Sequence, residues 1–501
     1  MITLPKSRFI SGTQCEKKLY FDVFRQDLKP IISDRQQALF DSGHTIGLLA
    51  RQVFPNGKDA SPKNYVDFPA SIINTRTWSK EEVQTIYEAA FSSHGVFAAL
   101  DILHLVDGER WAIEVKGSTQ VKPYHVFDAS IQYWVMNQSG ITPDKFFIMH
   151  INNKYVKQGQ IDPIQLFHLE DITELVLANQ DWVGVKKDAL IEILETKMEP
   201  VKDIGKHCSD PFQCEYITHC WSHIPKNSVF DLYNSRGKEW IFYEQGIIQI
   251  QDIPFDFKFS HRQQMQVNAV KFQTNHIDAE PIREMLSQCE YPLYFFDFET
   301  INPAIPVLNG TSPFNQVPFQ YSLHVTNEKG DLMDYKSFLA NPNDFNNIEK
   351  KEDDPRYKLI MQLKADIKES GSIIAYNAPF EVSVLKGLAA LFPEEKEFLE
   401  DLNARFIDLL IPFKKAWYYL ADMGSSASIK YVLPAIAPEF SYYDLEINNG
   451  GMASETFLAM IHNPNNEEDT ATRINLLKYC ERDTEGMVVI YKHLLDIITA
   501  K

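Results

Sequence analysis

The sequence predicts an α/β protein, and three observations carry that expectation. Asp107-Gly108 separates two apolar runs, Val96 to Leu105 and Arg110 to Lys116, as a two-residue hairpin loop separates strands. Tyr294-Phe-Phe-Asp297-Phe-Glu299-Thr300 reads as a strand with one aromatic face and one acidic face. Ile474 to Ile498 repeats its apolar residues at helical spacing. The 501 residues suggest about three domains of roughly 150 residues each, and 44% hydrophobic residues with 33 Phe and 22 Tyr fit globular cores. No run approaches the ~18 apolar residues of a membrane span, and the first residues lack a secretory apolar stretch. A cytoplasmic, reducing location is therefore expected, with the six cysteines as metal ligands or buried thiols. A net charge of −19 argues against a whole-surface grip on nucleic acid, so a polynucleotide partner would need a local basic groove.

Taken in order, Ser7 to Phe21 is a short helical pattern carrying Cys15. In the hairpin that follows, a loop at Asp107 and Gly108 makes the numbers of facing residues sum to 215, which sets Asp101 opposite Glu114. Lys116 shares their face. Two carboxylates can hold a metal, and the lysine can position or deprotonate an attacking water. The plainer alternative is a surface Glu–Lys pair on an amphipathic hairpin. Against it stand the apolar neighbours Leu100, Ile102, Ile113 and Val115, because a buried charge triplet needs a reason.

An Asp followed by Glu-x-Lys on the next strand resembles the PD-(D/E)XK nuclease superfamily, in particular its RecB-like branch. The resemblance implies a restriction-endonuclease-like domain over residues 1–225, with Asp101, Glu114 and Lys116 catalytic and Asp101 and Glu114 binding metal. Gln132, in Asp128-Ala-Ser-Ile-Gln132-Tyr-Trp, matches the glutamine that branch carries on its next helix; Met136 stands where a tyrosine is usual. Glu88 and His44 are candidates for an upstream metal ligand. The iron–sulfur members of the branch take one cysteine before the core and three after it. Cys15, Cys208, Cys214 and Cys220 fit that order and imply a [4Fe–4S] cluster, although the six-residue spacing of the last three is wider than usual. A zinc site of these cysteines, or one using His207 or His219, is the alternative.

Residues 226–290 read as a mainly helical connector. Gly246 to Pro254 is faintly like a helix–hairpin–helix element, with a packing turn as the plainer use. His261 to Cys289 reads as helices, and Cys289 as a buried thiol.

In residues 291–501, Asp297 and Glu299 share one face of their strand. An isolated Asp-x-Glu pair is common in solvent; an apolar setting and further ligands would make it a metal site. Pro313 to Val325 runs from loop into strand, and Asn341 to Arg356 reads as a solvated loop. Ser372 to Tyr376 is a short buried strand followed by Asn377-Ala-Pro-Phe-Glu381, with Asn377 as a helix cap. Lys414 to Tyr419 mixes basic and aromatic residues, either as helical core or as a stacking surface for a single strand. On the last helix Tyr479 and Asp483 lie on one face.

Asp-x-Glu on a first strand, Asn-x3-acid after a middle strand and Tyr-x3-Asp on a late helix resemble the DEDD 3′–5′ exonucleases of tyrosine subtype. That resemblance implies a ribonuclease H-like fold in which Asp297, Glu299, Glu381 and Asp483 bind Mg²⁺ or Mn²⁺ and Tyr479 orients the attacking water. The second motif normally ends in Asp, and Glu381 is one methylene longer; Asp408 is a fallback ligand or a structural acid. Lys430 and Gly450-Gly451 lie in segments similar to the family's, without an assigned role. Together the two halves resemble a bacterial family that joins a RecB-like nuclease region to a DEDD exonuclease. The implied activity is metal-dependent hydrolysis of DNA. The alternatives are one live centre, with RNA as plausible a substrate, or an inactive scaffold that binds nucleic acid and keeps a structural metal.

Overall fold

In a computed structural model the chain is described over residues 3–31, 34–62, 67–463 and 469–499. It divides into two compact units, Met1–His223 with Ala304–Phe314, and Ile224–Pro303 with Asn315–Lys501. Both are mixed α/β. The stretch expected as a connector lies in the second unit and carries the helices Lys238–Glu244, His261–Phe272 and Ala279–Leu286.

The first unit is built on a seven-stranded sheet. Its strands are β1 (Leu4–Pro5), β2 (Lys58–Asp59), β3 (Thr85–Ser93), β4 (Val96–Val106), β5 (Glu109–Lys116), β6 (Lys145–Ile151) and β7 (Phe167–Asp171), in the order β2-β3-β4-β5-β6-β7 with β1 paired to β4. Asp107 and Gly108 form the loop at φ 51° and 86°, the left-handed pair that a two-residue hairpin of this twist requires. The register follows: Ile102 faces Ile113 and Val106 faces Glu109, both pairs summing to 215. The ladder opens at the next position, Asp101. Beside it Glu88 takes φ 51°, and the packing alternation of β4 slips there. Ala98 and Leu100 enter one core while Ile102 enters the other. The helix Pro123–Gln138 packs over β3 and β4, and the helix Asp34–Arg51 covers β5 with Ile46 and Ala50 in the second core.

The second unit's strands are β8 (His276–Ile277), β9 (Leu293–Ile301), β10 (Val317–Thr326), β11 (Leu332–Leu339), β12 (Ile373–Ala375), β13 (Phe406–Asp408) and β14 (Tyr418–Tyr419). Five of them form a sheet in the order β11-β10-β9-β12-β13, antiparallel as far as β9 and parallel beyond it; β14 pairs β8 separately. Along β9, Tyr294, Phe296 and Phe298 fill the core beneath the sheet, so Asp297 and Glu299 rise from the opposite face. The helix Asp469–Thr499 crosses that face. It is fixed to β10 by hydrogen bonds from Gln320 Nε2 to the Leu476 carbonyl (2.9 Å) and between the Ser322 and Thr484 hydroxyls (2.7 Å).

Three local expectations change. Asn377 is not the cap of helix Pro379–Leu391: it takes φ 78° and Ala378 precedes the helix, because the chain turns sharply as it leaves β12. Asn341–Arg356 is exposed over much of its length but contains two short 3₁₀ turns and ends in a buried Arg356–Asp354 pair at 2.6 Å. In Lys414–Tyr419 the lysines are exposed while Ala416, Tyr418 and Tyr419 enter the core, and only the start is helical; Ala416 turns the chain at φ 56° into β14. Cys289 is half-buried. Among the described residues no helix is long and apolar enough to cross a membrane.

Candidate metal centres

In the first unit the hairpin, the helix Pro123–Gln138 and the start of the chain meet at one cluster. Lys116 Nζ lies 2.9 Å from Glu114 Oε1 and 2.5 Å from Asp128 Oδ2. Lys6, at the end of β1, reaches the same two acids at 2.8 Å and 3.1 Å. Gln132 Nε2 donates to the other Glu114 oxygen at 2.7 Å and to the Ala99 carbonyl at 3.0 Å. Asp101 Oδ2 accepts from the Val115 amide at 2.6 Å, across the point where the ladder opens. Asp101, Glu114, Lys116 and Gln132 are thus brought together.

The acids of this cluster are unequal. Burial and the Glu114 and Glu88 charges push Asp101 well above the ordinary carboxyl range. Glu114 is more deeply buried, but the two lysines override that and hold it well below its ordinary value. Lys116 is half-buried, yet Glu114 and Asp128 raise its ammonium above the usual range. His125, on the same helix, is pushed down to about 4 by burial and by Lys116, so it is neutral near pH 7. Glu88 contributes its charge while pairing with Arg51 at 3.1 Å. His44 sits exposed on the helix Asp34–Arg51, and its sequence neighbours are exposed as well.

Sequence reasoning missed Lys6 and Asp128. Asp128 stands one helical turn before Gln132, so the i, i+4 rule could have paired them. Lys6 is 108 residues from Glu114, and no local pattern connects them.

Cys15, Cys208, Cys214 and Cys220 line one pocket of the first unit together with Phe21 and His207. Cys15 stands between the helices Lys6–Gln14 and Glu16–Phe24, and Gln14 Nε2 ties this corner to the Phe212 and His207 carbonyls at 2.6 Å and 2.8 Å. Burial raises the Cys214 thiol to about 11, with Cys15 and Cys208 adding to the shift. His207 Nε2 lies 3.8 Å from Cys208 Sγ; His219 instead packs edge-on against Phe21 at 5.5 Å. Four thiols around one pocket suit an iron–sulfur cluster or zinc as a donor set.

In the second unit, carboxylates from distant segments converge above β9. An oxygen from each of Asp297 and Glu299 and the Cys480 sulfur lie within 4.8 Å of one another. Asp483, three residues after Cys480, accepts a 2.6 Å hydrogen bond from the Tyr442 hydroxyl, and Tyr479 stands one turn before it on the same helix. Glu381 lies in the first turn of helix Pro379–Leu391, 2% exposed, and its Oε2 has no hydrogen-bond partner. Burial dominates here: it drives Asp297, Glu299, Glu381 and Asp483 upward. Asp483 adds to the rise of Asp297, and Asp297 to those of Glu299 and Glu381. Such a set of acids with an orphaned carboxylate oxygen fits divalent cations.

Two more residues border this centre. Lys430 donates to the Asn448 carbonyl at 2.8 Å and lies 5.2 Å from the Tyr479 ring centroid. Burial lowers its ammonium against the pull of Asp483, Glu299 and Asp297. Gly450 opens the helix Gly450–His462 so close that a Cβ there would sit 3.5 Å from Glu299 Oε2. Asp408 is occupied as a structural acid, since its Oδ1 accepts from the Asn377 and Leu410 amides at 2.8 Å and 2.9 Å.

A family model described as a domain of unknown function, DUF2779, matches residues 294–428, a span that holds Asp297, Glu299 and Glu381 but ends before Tyr479 and Asp483. An uncharacterized protein of Mycoplasma genitalium is 30% identical over 216 residues, 41% of this chain and 32% of that protein. Its homolog in Mycoplasma pneumoniae is 31% identical over 226 residues, 41% of this chain and 32% of that protein. An uncharacterized protein of Ureaplasma parvum is 25% identical over 224 residues, with 40% and 31% covered. The chain thus spans about a third of the length of the curated relatives it matches.

Proposed function

We propose that this chain is a metal-dependent nuclease that hydrolyses phosphodiester bonds of DNA. Its second unit would be a DEDD-type 3′–5′ exonuclease of ribonuclease H-like fold, and its first a RecB-like PD-(D/E)XK nuclease. The observation that carries this is the convergence of Asp297, Glu299, Glu381 and Asp483, one half-buried and three buried acids, with Lys430 as the cation acting on three of them. So many carboxylates without compensating charge are costly in a folded protein unless cations join them.

Asp297, Glu299, Glu381 and Asp483 would hold Mg²⁺ or Mn²⁺, which when bound supply Lewis-acid stabilisation of the charge developing on the phosphate oxygens. Tyr479, whose phenol burial and Asp483 keep protonated at any working pH, would orient the attacking water through its hydroxyl. Tyr442 would fix the Asp483 carboxylate by the hydrogen bond it already donates. In the first unit Asp101 and Glu114 would hold metal, Lys116 would face the scissile phosphate and Gln132 would set the orientation of Glu114. The cysteine pocket would hold a [4Fe–4S] cluster, or zinc.

One observation favours a second reading, in which only the C-terminal centre is live and RNA is as plausible as DNA. Glu114 and Asp128 are already neutralised by two lysines, so the first cluster has less need of a divalent ion. The test is hydrolysis of end-labelled single- and double-stranded DNA and RNA with Mn²⁺, by the wild type, Asp297→Asn and Lys116→Ala. The main proposal expects each substitution to remove a distinct cleavage. If Lys116→Ala changes nothing while Asp297→Asn abolishes cleavage, the second reading holds. Protein that cleaves none of these substrates, with Mn²⁺ or after chelation, would return the chain to a binding scaffold.

A further inference from the structure

We infer that the C-terminal centre accepts a thiophilic divalent cation of the Zn²⁺ class through Asp297, Glu299 and the Cys480 sulfur. The inference deepens the proposed function, because it rests on the same carboxylates, but it adds a soft ligand that a hard-ion site does not need.

Cys480 follows Tyr479 on the helix Asp469–Thr499, and that helix is pinned to β10 so that its sulfur faces β9. Sγ lies 3.8 Å from both the carbonyl oxygen and a carboxylate oxygen of Asp297. A thiol is a weak donor, so these contacts do little to satisfy the half-buried Asp297 carboxylate. The three ligand atoms lie within 4.8 Å of one another, and among the described residues no other three His, Cys, Asp or Glu side chains do. Ligand atoms about 2.0–2.3 Å from a tetrahedral ion stand roughly 3.3–3.8 Å apart, so small side-chain rotations would close the site. A second observation points the same way: the unpartnered Oε2 of Glu381, on a residue 2% exposed, belongs to an acid whose charge acts on Glu299.

Sulfur decides which ion is preferred. Carboxylates alone suit Mg²⁺ and Mn²⁺, whereas a thiolate favours Zn²⁺ and Cd²⁺. On binding, the S–H bond breaks, its proton passes to solvent and the sulfur lone pair forms the bond to the ion; no electron changes owner. Two carboxylates and one thiolate then leave a single net negative charge around the dication.

The test adds Cd²⁺ alone to the full-length chain with its cysteine pocket loaded, and reads the near-ultraviolet sulfur-to-cadmium charge transfer. The pocket cysteines are common to every variant, so differences report Cys480. Cys480→Ser is expected to lose the absorption of one cadmium–sulfur bond. Asp297→Asn, which keeps the thiol, is expected to bind that Cd²⁺ tenfold or more weakly, at least the loss that an outer-shell partner causes. Unchanged absorption in Cys480→Ser, or unchanged Cd²⁺ affinity in Asp297→Asn, overturns the inference. Cys480→Ala is the second variant should serine destabilise the helix, with folding checked by circular dichroism. No nucleic acid enters the measurement, so a protein that binds Cd²⁺ in this way but cleaves nothing refutes only the nuclease reading.

Discussion

At the scale of single residues, the acids above β9 work against the fold in the absence of cations. Their folded-state values stand above the ordinary 3.8 for Asp and 4.5 for Glu, so the unfolded chain ionises first as pH rises. The stability they contribute is present below about pH 4 and is lost as pH climbs through the folded values. Metal-free Asp297→Asn is therefore expected to be more stable than wild type near neutral pH, with the advantage shrinking toward pH 4. Each kcal/mol gained should raise Tm by about 2–4 °C for a unit of this size. Calorimetry of chelated protein over that range checks it. His125 and His324, both pushed down to about 4, titrate alike in the two proteins and cancel in the difference. A mutant less stable than wild type at neutral pH would mean the carboxylates are not mutually repulsive.

The first cluster behaves differently because Glu114 and Asp128 each have two lysines. Removing Lys116 leaves Glu114 and Asp128 with Lys6, and removing Lys6 leaves them with Lys116. Only the double substitution strands the acids, one of them with a side chain 5% exposed. Lys6→Ala with Lys116→Ala should lose more stability than the sum of the singles, by a coupling of about 0.5–3 kcal/mol. Urea unfolding of the four proteins measures it; strict additivity would show that the lysines do not share their partners.

At the scale of elements, β12 is what brings Glu381 beside β9, and one glycine permits it. Gly371 precedes β12 at φ 101°, and a Cβ there would stand 2.2 Å from the Pro292 carbonyl oxygen, so the backbone itself blocks any side chain. Gly371→Ala should cost at least the ~1–3 kcal/mol of a strained backbone residue, lowering Tm by several degrees. A variant as stable as wild type would contradict that close approach. Elements of this kind explain what was legible in the sequence. The hairpin register was readable because Asp107-Gly108 dictates a two-residue loop, and the β9 faces because aromatics and acids alternate. Local pattern could not supply the slip at Asp101, where Glu88 turns left-handed, nor the reversal at Asn377 that moves the helix cap to Ala378. Lys6 was illegible for a different reason: its partners lie more than a hundred residues away and are reached only because β1 pairs with β4.

At the scale of the whole molecule, the net charge of −19 must be squared with the polyanionic substrate proposed above. Many lysines and arginines pair with acids of the chain at its surface: Lys145 with Glu109, Lys351 with Glu394, Lys358 with Asp344, Arg405 with Asp401. Cations left to meet phosphates are correspondingly few, and the proposed ions would do part of that work. A single strand gripped at two to four phosphates releases counterions in proportion, so log Kobs should fall against log salt with a slope of only about −1 to −3. Fluorescence anisotropy of a labelled single strand with metal-loaded Asp483→Asn protein measures the slope without cleavage. Chelation should weaken binding further, because the acids then repel the phosphates unshielded. A slope near the −10 of an extensive basic interface, or tighter binding after chelation, would mean that the strand is held by lysines and arginines away from the acid clusters.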